Sequence, residues 1–218
     1  MCALGMIDPA KLRDALAAMP VMAILRGLAR EAARDVGRGL YGAGVRFMEV
    51  PLNGADALGA METLRASVSD DVLVGAGTVL DEGQVDQVVE AGGQVIVSPH
   101  FDPVLVTRTK ALGLISVPGV FTPSEAFAAL KAGADGLKLF PADDLSPAVL
   151  KAWRSVLSLK DVLILPTGGV SSQNAAAWWA AGASGFGVGS GVFQPDLRGE
   201  DIEAHARRFT RAVGGLTR

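Results

Sequence analysis

Apolar residues fall into eight short runs whose starts lie 20 to 26 residues apart. Runs of this length, rich in valine, leucine and isoleucine and bounded by glycine, proline or charged residues, predict β-strands. The segments between them repeat apolar residues three and four positions apart, which predicts helices. The runs begin near Val21, Phe47, Val72, Gln94, Leu114, Gly136, Val162 and Gly185.

Two more helices are predicted at the ends of the chain, Asp8–Met19 before the first strand and Glu200–Val213 after the last. Apolar strands joined by helices form parallel sheets, and eight such units close into a barrel. We therefore expect an α/β fold, a (β/α)8 TIM barrel with an additional N-terminal helix, in one domain spanning residues 1–218. An open doubly wound sheet is the alternative.

Capping residues predict helix starts at Asp102-Pro103, Thr122-Pro123, Ser146-Pro147 and Ser171.

Composition narrows the classes of partner. The 20 basic and 23 acidic residues are scattered and leave a net charge of -3, so we expect no nucleic acid partner. Apolar runs stop well before the roughly 20 residues that a membrane-spanning helix needs, so we expect no membrane partner. One cysteine, Cys2, and two histidines offer no disulfide and no metal-ligand cluster. A cytoplasmic protein without a metal or cofactor is the expectation.

Lys138 and Glu49 each interrupt an apolar strand near its carboxyl end, where barrel enzymes place their chemistry. Burial disfavours the ammonium form of a lysine, so Lys138 is a candidate nucleophilic amine. Alternation places Gly136, Lys138 and Phe140 on one face, which we expect to point inward. Glu49 is then a candidate general acid and base beside it. The alternatives are a Lys138 that pairs with a carboxylate or reaches solvent, and a Glu49 that forms a structural ion pair with Arg26 or Arg46.

Glycine-rich segments follow the last two strands, in LPTGGVSS and GVGSGVF. Because glycines precede the expected helix starts there, the amides of Gly168 and Gly169 can reach an anion, and Gly187, Gly189 and Ser190 repeat this arrangement. Simple tight turns are the alternative. Other strands end in Arg26, in Thr78 and in His100, which is either a substrate contact or a structural histidine.

Seven segments, in order, resemble the family of aldolases for 2-keto-3-deoxy-6-phosphogluconate and its galactonate epimer. They are VMAILRG, FMEVPLNG, VGAGTVL, VIVSPH, VPGVFTPSEA, GADGLKLFPA and LPTGGV, and the resemblance extends from about Val21 to Phe193. It implies a metal-independent class I aldolase, usually trimeric, that splits a phosphorylated 2-keto-3-deoxy sugar acid into pyruvate and glyceraldehyde 3-phosphate.

The resemblance also implies roles for individual residues. Lys138 looks like the Schiff-base lysine and Glu49 like the proton-transferring carboxylate, while Arg26 and Thr78 look like contacts to the keto-acid. The phosphate would then bind Gly168, Gly169, Gly189 and Ser190. Asn53, in EVPLNG, stands where gluconate-type enzymes carry an arginine, so the galactonate epimer is the expected substrate. The gluconate epimer and a phosphosugar isomerase or epimerase on the same scaffold are the alternatives.

Overall fold

The computed structural model describes residues 6–157 and 162–216, in which strands and helices alternate. Each run predicted as a strand begins within one residue of its expected position. The strands are β1 (Val21–Ile24), β2 (Phe47–Pro51), β3 (Leu73–Gly77), β4 (Val95–Val97), β5 (Ile115–Val117), β6 (Gly119–Val120), β7 (Gly136–Leu139), β8 (Leu163–Pro166) and β9 (Phe186–Val188). The helices are α1 (Ala10–Ala18), α2 (Ala33–Gly42), α3 (Ala57–Ser67), α4 (Glu82–Glu90), α5 (Pro103–Ala111), α6 (Pro123–Lys131), α7 (Pro147–Leu157), α8 (Ala175–Ala180) and α9 (Glu200–Val213), with short 3-10 turns at Arg30–Ala32 and Ala142–Asp144.

Local capping explains several of these helix starts. Thr122 and Glu125 form a reciprocal capping box at α6, and the Asp102 carboxylate accepts a hydrogen bond from the Val104 N–H at α5. The starts predicted at Asp102-Pro103 and Thr122-Pro123 are therefore confirmed, and so is the start at Ser146-Pro147, because α7 begins at Pro147. The start predicted at Ser171 is wrong, because Ser172–Asn174 form a turn and α8 begins at Ala175.

The prediction of a closed eight-stranded (β/α)8 barrel is wrong. The strands form a curled six-stranded parallel sheet, in the order β5-β4-β3-β2-β1-β9, and a separate three-stranded sheet, β6-β7-β8. The run predicted as one fifth strand is split by Pro118, which has no N–H to donate to a ladder. On the other side, β8 meets β9 through the single bridge between Thr167 and Gly187. The open doubly wound alternative is not found either, because the larger sheet keeps its strands in sequential order.

Two hydrophobic clusters flank the strands. The larger cluster lies between the sheets and the surrounding helices, and it includes residues such as Val74, Leu137 and Trp178. The smaller cluster lies inside and includes inward residues of both sheets, among them Phe47 and Leu165. Helix α1 adds Leu12, Ala15 and Leu16 to this inner cluster, and Leu12 lies beside Gly136 at the start of β7. The additional N-terminal helix thus covers the amino ends of the strands and leaves the carboxyl ends open.

Among the helices of residues 6–157 and 162–216, none is both long enough and apolar enough to cross a membrane.

Candidate active site

A cavity of about 780 Å³ opens at the carboxyl ends of the strands, above the inner cluster. This volume suits a small metabolite. Its walls come from the ends of β1, β2, β3 and β7 and from the loops after β8 and β9. All the residues proposed from the sequence for catalysis or substrate binding line it: Arg26, Glu49, Thr78, Lys138, Gly168, Gly169, Gly189 and Ser190.

Lys138 projects into this cavity from the middle of β7 and is 6% exposed. It pairs in register with Gly119 and Leu165, so it sits directly above the inner cluster. Its Nζ lies 4.7 Å from the centre of the Phe140 ring. Burial lowers the pKa of the Lys138 amine, the Glu49 carboxylate opposes this effect, and Arg26 adds to it. Lys138 forms no ion pair with any carboxylate in the described part of the chain.

Glu49 faces the same cavity from the centre of β2 and is 1% exposed. Its Oε2 has no hydrogen-bond partner, which is rare for a buried oxygen. Burial raises its pKa from 4.5 to about 7, although Lys138 and Arg26 pull it down. The carboxylate has room only because residue 77 is glycine, since a Cβ on Gly77 would overlap with it.

The geometry does not favour the alternative in which Glu49 is a structural ion-pair partner. Arg46 is bound elsewhere, with its Nε 2.8 Å from Asp71 Oδ2 and its guanidinium over the Tyr41 ring. Arg26 is exposed at the cavity wall and forms no ion pair within residues 6–157 and 162–216. Glu49 therefore has an unpartnered oxygen and a pKa near neutrality, which are the properties of a group that takes and returns a proton.

Arg26 and Thr78 stand on the wall beside these two groups, at the ends of β1 and β3. The Thr78 backbone has a φ of +54°, a left-handed conformation that is unusual for a β-branched residue. Such strained positions cluster in functional sites, where the surrounding structure holds them. The Arg26 cation is suited to bind a carboxylate of a ligand.

The glycine pair of the loop after β8 lines the cavity, and no helix begins directly behind it. Gly168 and Gly169 both have positive φ, and Asn174 braces the loop by donating from Nδ2 to the Gly169 carbonyl at 2.9 Å. The Asp143 carboxylate lies against this loop, so that a Cβ on Gly169 would overlap with it. A turn thus stands where a helix N-terminus was expected directly after the glycine pair.

The loop after β9 also lacks the expected helix start, since α9 begins only at Glu200. Instead, the N–H groups of Val192 and Phe193 both donate to the Gly189 carbonyl, at 3.0 and 2.9 Å. This tight turn holds Gly189 and Ser190 at the cavity wall.

Thr167, a buried cavity residue at the end of β8, was not predicted from the sequence. Its place two residues beyond Leu165 and directly before the glycine pair could have indicated it. His100, for which the sequence left a substrate contact and a structural role open, is exposed and is not part of the cavity lining. Asn53 is likewise exposed, in a turn after β2, and does not line the cavity.

No group of three or more histidine, cysteine, aspartate or glutamate side chains arranged to hold a metal ion occurs in the described residues. Cys2 lies outside them.

Comparison with known proteins identifies the family. The model of the KDPG and KHG aldolases matches residues 10–207. The chain belongs to the KDPG and KHG aldolase family. It is 41% identical over 187 residues to a probable 2-dehydro-3-deoxy-6-phosphogalactonate aldolase of Rhizobium meliloti, covering 86% of this chain and 88% of that protein.

Two solved structures extend this similarity to three dimensions. A structure described as native KDPGal superimposes with a TM-score of 0.85 at 35% identity, over 89% of this chain and 94% of the other. KDPG aldolase from Legionella pneumophila, with pyruvate captured as a covalent carbinolamine intermediate, superimposes with a TM-score of 0.76 at 29% identity, over 95% and 97% of the two chains.

Proposed function

We propose that this protein is a class I aldolase that cleaves 2-dehydro-3-deoxy-6-phosphogalactonate to pyruvate and D-glyceraldehyde 3-phosphate. One observation carries the chemistry: a buried amine and a buried, unpartnered carboxylate, Lys138 and Glu49, face one metabolite-sized cavity. The family and the galactonate-type relatives support the substrate.

Lys138 supplies the covalent step. Because burial lowers its pKa, a larger fraction of the amine is unprotonated and able to attack the C2 ketone. The addition gives a carbinolamine, which loses water to form a protonated imine. The carbinolamine captured in the Legionella relative supports this route. The imine then accepts the electron pair of the C3–C4 bond.

Glu49 transfers the proton in both halves of the reaction. As the carboxylate it takes the proton of the C4 hydroxyl while the C3–C4 bond breaks, which releases the aldehyde and leaves an enamine. As the acid it then protonates C3, and hydrolysis of the resulting imine releases pyruvate and restores the amine. A pKa of about 7 suits both tasks at neutral pH.

The remaining cavity residues anchor the two anionic ends of the substrate. In this proposal Arg26 and Thr78 bind the keto-acid carboxylate close to Lys138. Gly168, Gly169, Gly189 and Ser190 bind the phosphate through the N–H groups of the two loops, for which neutral backbone donors are sufficient.

Borohydride reduction in the presence of pyruvate tests the covalent chemistry. Mass spectrometry should find one reduced pyruvate adduct on Lys138. An isomerase or epimerase forms no imine and gives no adduct. An adduct on a different lysine would refute the assignment of Lys138.

Steady-state kinetics on the two pure epimers test the substrate. We expect a higher kcat/KM for the galactonate epimer and some activity on the gluconate epimer. Since Asn53 does not line the cavity, this preference rests on the similarity to galactonate-type relatives and not on a direct contact by Asn53. A clear preference for the gluconate epimer would show that the similarity does not extend to this specificity.

We also propose that the enzyme is a homotrimer. Large apolar side chains of the α4–α6 side are exposed, which is typical of a surface covered by another copy: Leu80, Val104, Phe121 and Phe127. Sedimentation velocity should give the mass of three chains, and Phe127→Asp should shift it toward one. The single domain and the cytoplasmic location stay predictions.

A further inference from the structure

His205, on the last helix, contacts the rear of the cavity wall. Its Nε2 lies 2.7 Å from the backbone carbonyl oxygen of Ser190, and its Nδ1 contacts the Arg208 guanidinium. Carbonyl oxygens only accept hydrogen bonds and guanidinium groups only donate them. Both contacts are satisfied by one form of the ring, with the proton on Nε2 and Nδ1 as the acceptor. Arg208 therefore fixes the tautomer that His205 needs to hold Ser190.

The contact orients a peptide group. The Ser190–Gly191 peptide is trans, so its C=O and N–H point in opposite directions. When His205 draws the Ser190 carbonyl toward α9, the Gly191 N–H is turned away from α9. Gly191 lines the cavity, and no backbone carbonyl of residues 6–157 or 162–216 accepts a hydrogen bond from its N–H.

Within the loop, no backbone hydrogen bond engages the C=O or the N–H of this peptide itself. Val192 and Phe193 are buried and donate to the Gly189 carbonyl, so these hydrogen bonds hold the residues on either side of the Ser190–Gly191 peptide. Only the His205 side chain contacts its carbonyl in the described structure.

We propose that His205 is a positioning residue, which orients the Ser190–Gly191 peptide so that the Gly191 N–H donates to the phosphoryl group of the substrate. The proposal rests on the phosphate placement given under the proposed function. His205 itself touches neither the substrate nor the reacting atoms, so its loss should weaken binding of the phosphate and leave the imine chemistry at Lys138 intact.

Kinetics on a substrate pair that differs only in the phosphate test this role. For His205→Leu we expect KM for the phosphorylated substrate to rise about tenfold, the scale of one lost hydrogen bond to a charged group. Its kcat should stay within about twofold, and kcat/KM for the same sugar acid without phosphate should not change. The inhibition constant of inorganic phosphate should rise in parallel.

Two further variants separate positioning from general damage. His205→Gln keeps an N–H donor at similar reach and should restore most of the affinity, whereas His205→Asn is too short and should not. Arg211→Gln, at an exposed position of the same helix, is the matched control and should behave as wild type. If His205→Leu does not fold, the Gln and Asn pair still decides the question.

The outcomes distinguish the two proposals. If wild type shows no preference for the phosphorylated substrate, the phosphate placement in the proposed function fails. If wild type shows that preference but the His205 variants retain it in full, the positioning role is refuted. Equal losses on both substrates would also refute it.

Discussion

Replacing Glu49 with glutamine should slow the enzyme and, above neutral pH, stabilise it. In the unfolded chain this carboxyl ionises near 4.5, but in the folded protein burial holds its proton until about pH 7. The folded state thus binds the proton more tightly. This contribution to stability is complete below pH 4.5 and is lost as the pH rises through 7.

The magnitude follows from the pKa difference and the burial. At about 1.4 kcal/mol per pKa unit, moving the pKa from 4.5 to about 7 costs wild type about 3 kcal/mol of stability by pH 8. Screening by solvent reduces this free-energy cost only slightly, because Glu49 is 1% exposed. Glutamine carries no charge, so the variant escapes this cost. For a chain of this size that corresponds to roughly 6–12 °C in Tm.

Urea denaturation at pH 5 and pH 8 measures the effect. The informative quantity is the change in the free energy of unfolding between pH 5 and pH 8. Any packing cost of the glutamine side chain is the same at both pH values and cancels in this difference. Relative to wild type, Glu49→Gln should gain about 2–3 kcal/mol between pH 5 and pH 8. Glu90→Gln, at an exposed position on α4, is the control and should show no such gain.

The same variant should lose about 10²–10⁴-fold in kcat, the usual contribution of a general acid or base, and still trap pyruvate with borohydride. Two results would refute the reasoning. A stability difference independent of pH would mean that Glu49 ionises normally. A loss of kcat below tenfold would mean that it is not the proton carrier.

Four other changes test the site. Lys138→Met should abolish both cleavage and the reduced pyruvate adduct, which mass spectrometry detects. Cleavage by this variant at the wild-type rate would show that Lys138 does not form the imine. Dialysis against EDTA should leave the rate unchanged, since the imine polarises the ketone; a loss reversed by a divalent ion would contradict this. Gly77→Ala should lower kcat strongly, because the added methyl group displaces the Glu49 carboxylate. Gly215→Ala is the control and should leave kcat unchanged, because a methyl group there has no neighbouring atom within 4 Å. Asp143→Asn removes a negative charge beside the Gly169 loop and should lower KM for the phosphorylated substrate about fivefold, the effect of roughly 1 kcal/mol of repulsion in water; an unchanged KM would place the phosphate elsewhere.

The sequence alone was sufficient for most features that a local rule governs, although the helix start expected at Ser171 is an exception. Strand positions follow from runs of apolar residues, and the helix starts at Pro103 and Pro123 follow from caps within a few residues of them. Alternation along β7 placed Lys138 and Gly136 on one face, because a strand turns successive side chains to opposite sides, and the expectation that this face points inward is confirmed. The candidate residues could be assembled because the carboxyl ends of parallel strands converge at one end of the fold.

Tertiary structure decided what depends on neighbours distant in sequence. Whether eight strands close into one barrel depends on pairings at the edges of the sheets. Pro118 interrupts the run at one edge, and at the other β8 and β9 are joined only by the Thr167–Gly187 bridge. The pKa of Glu49 depends on how completely other elements exclude water, and its room depends on Gly77 in the next strand. The hydrogen bond from His205 to Ser190 joins residues 15 positions apart across a turn and a helix, and no periodicity in the sequence encodes it. These properties arise from packing, which brings groups together by shape and not by spacing along the chain.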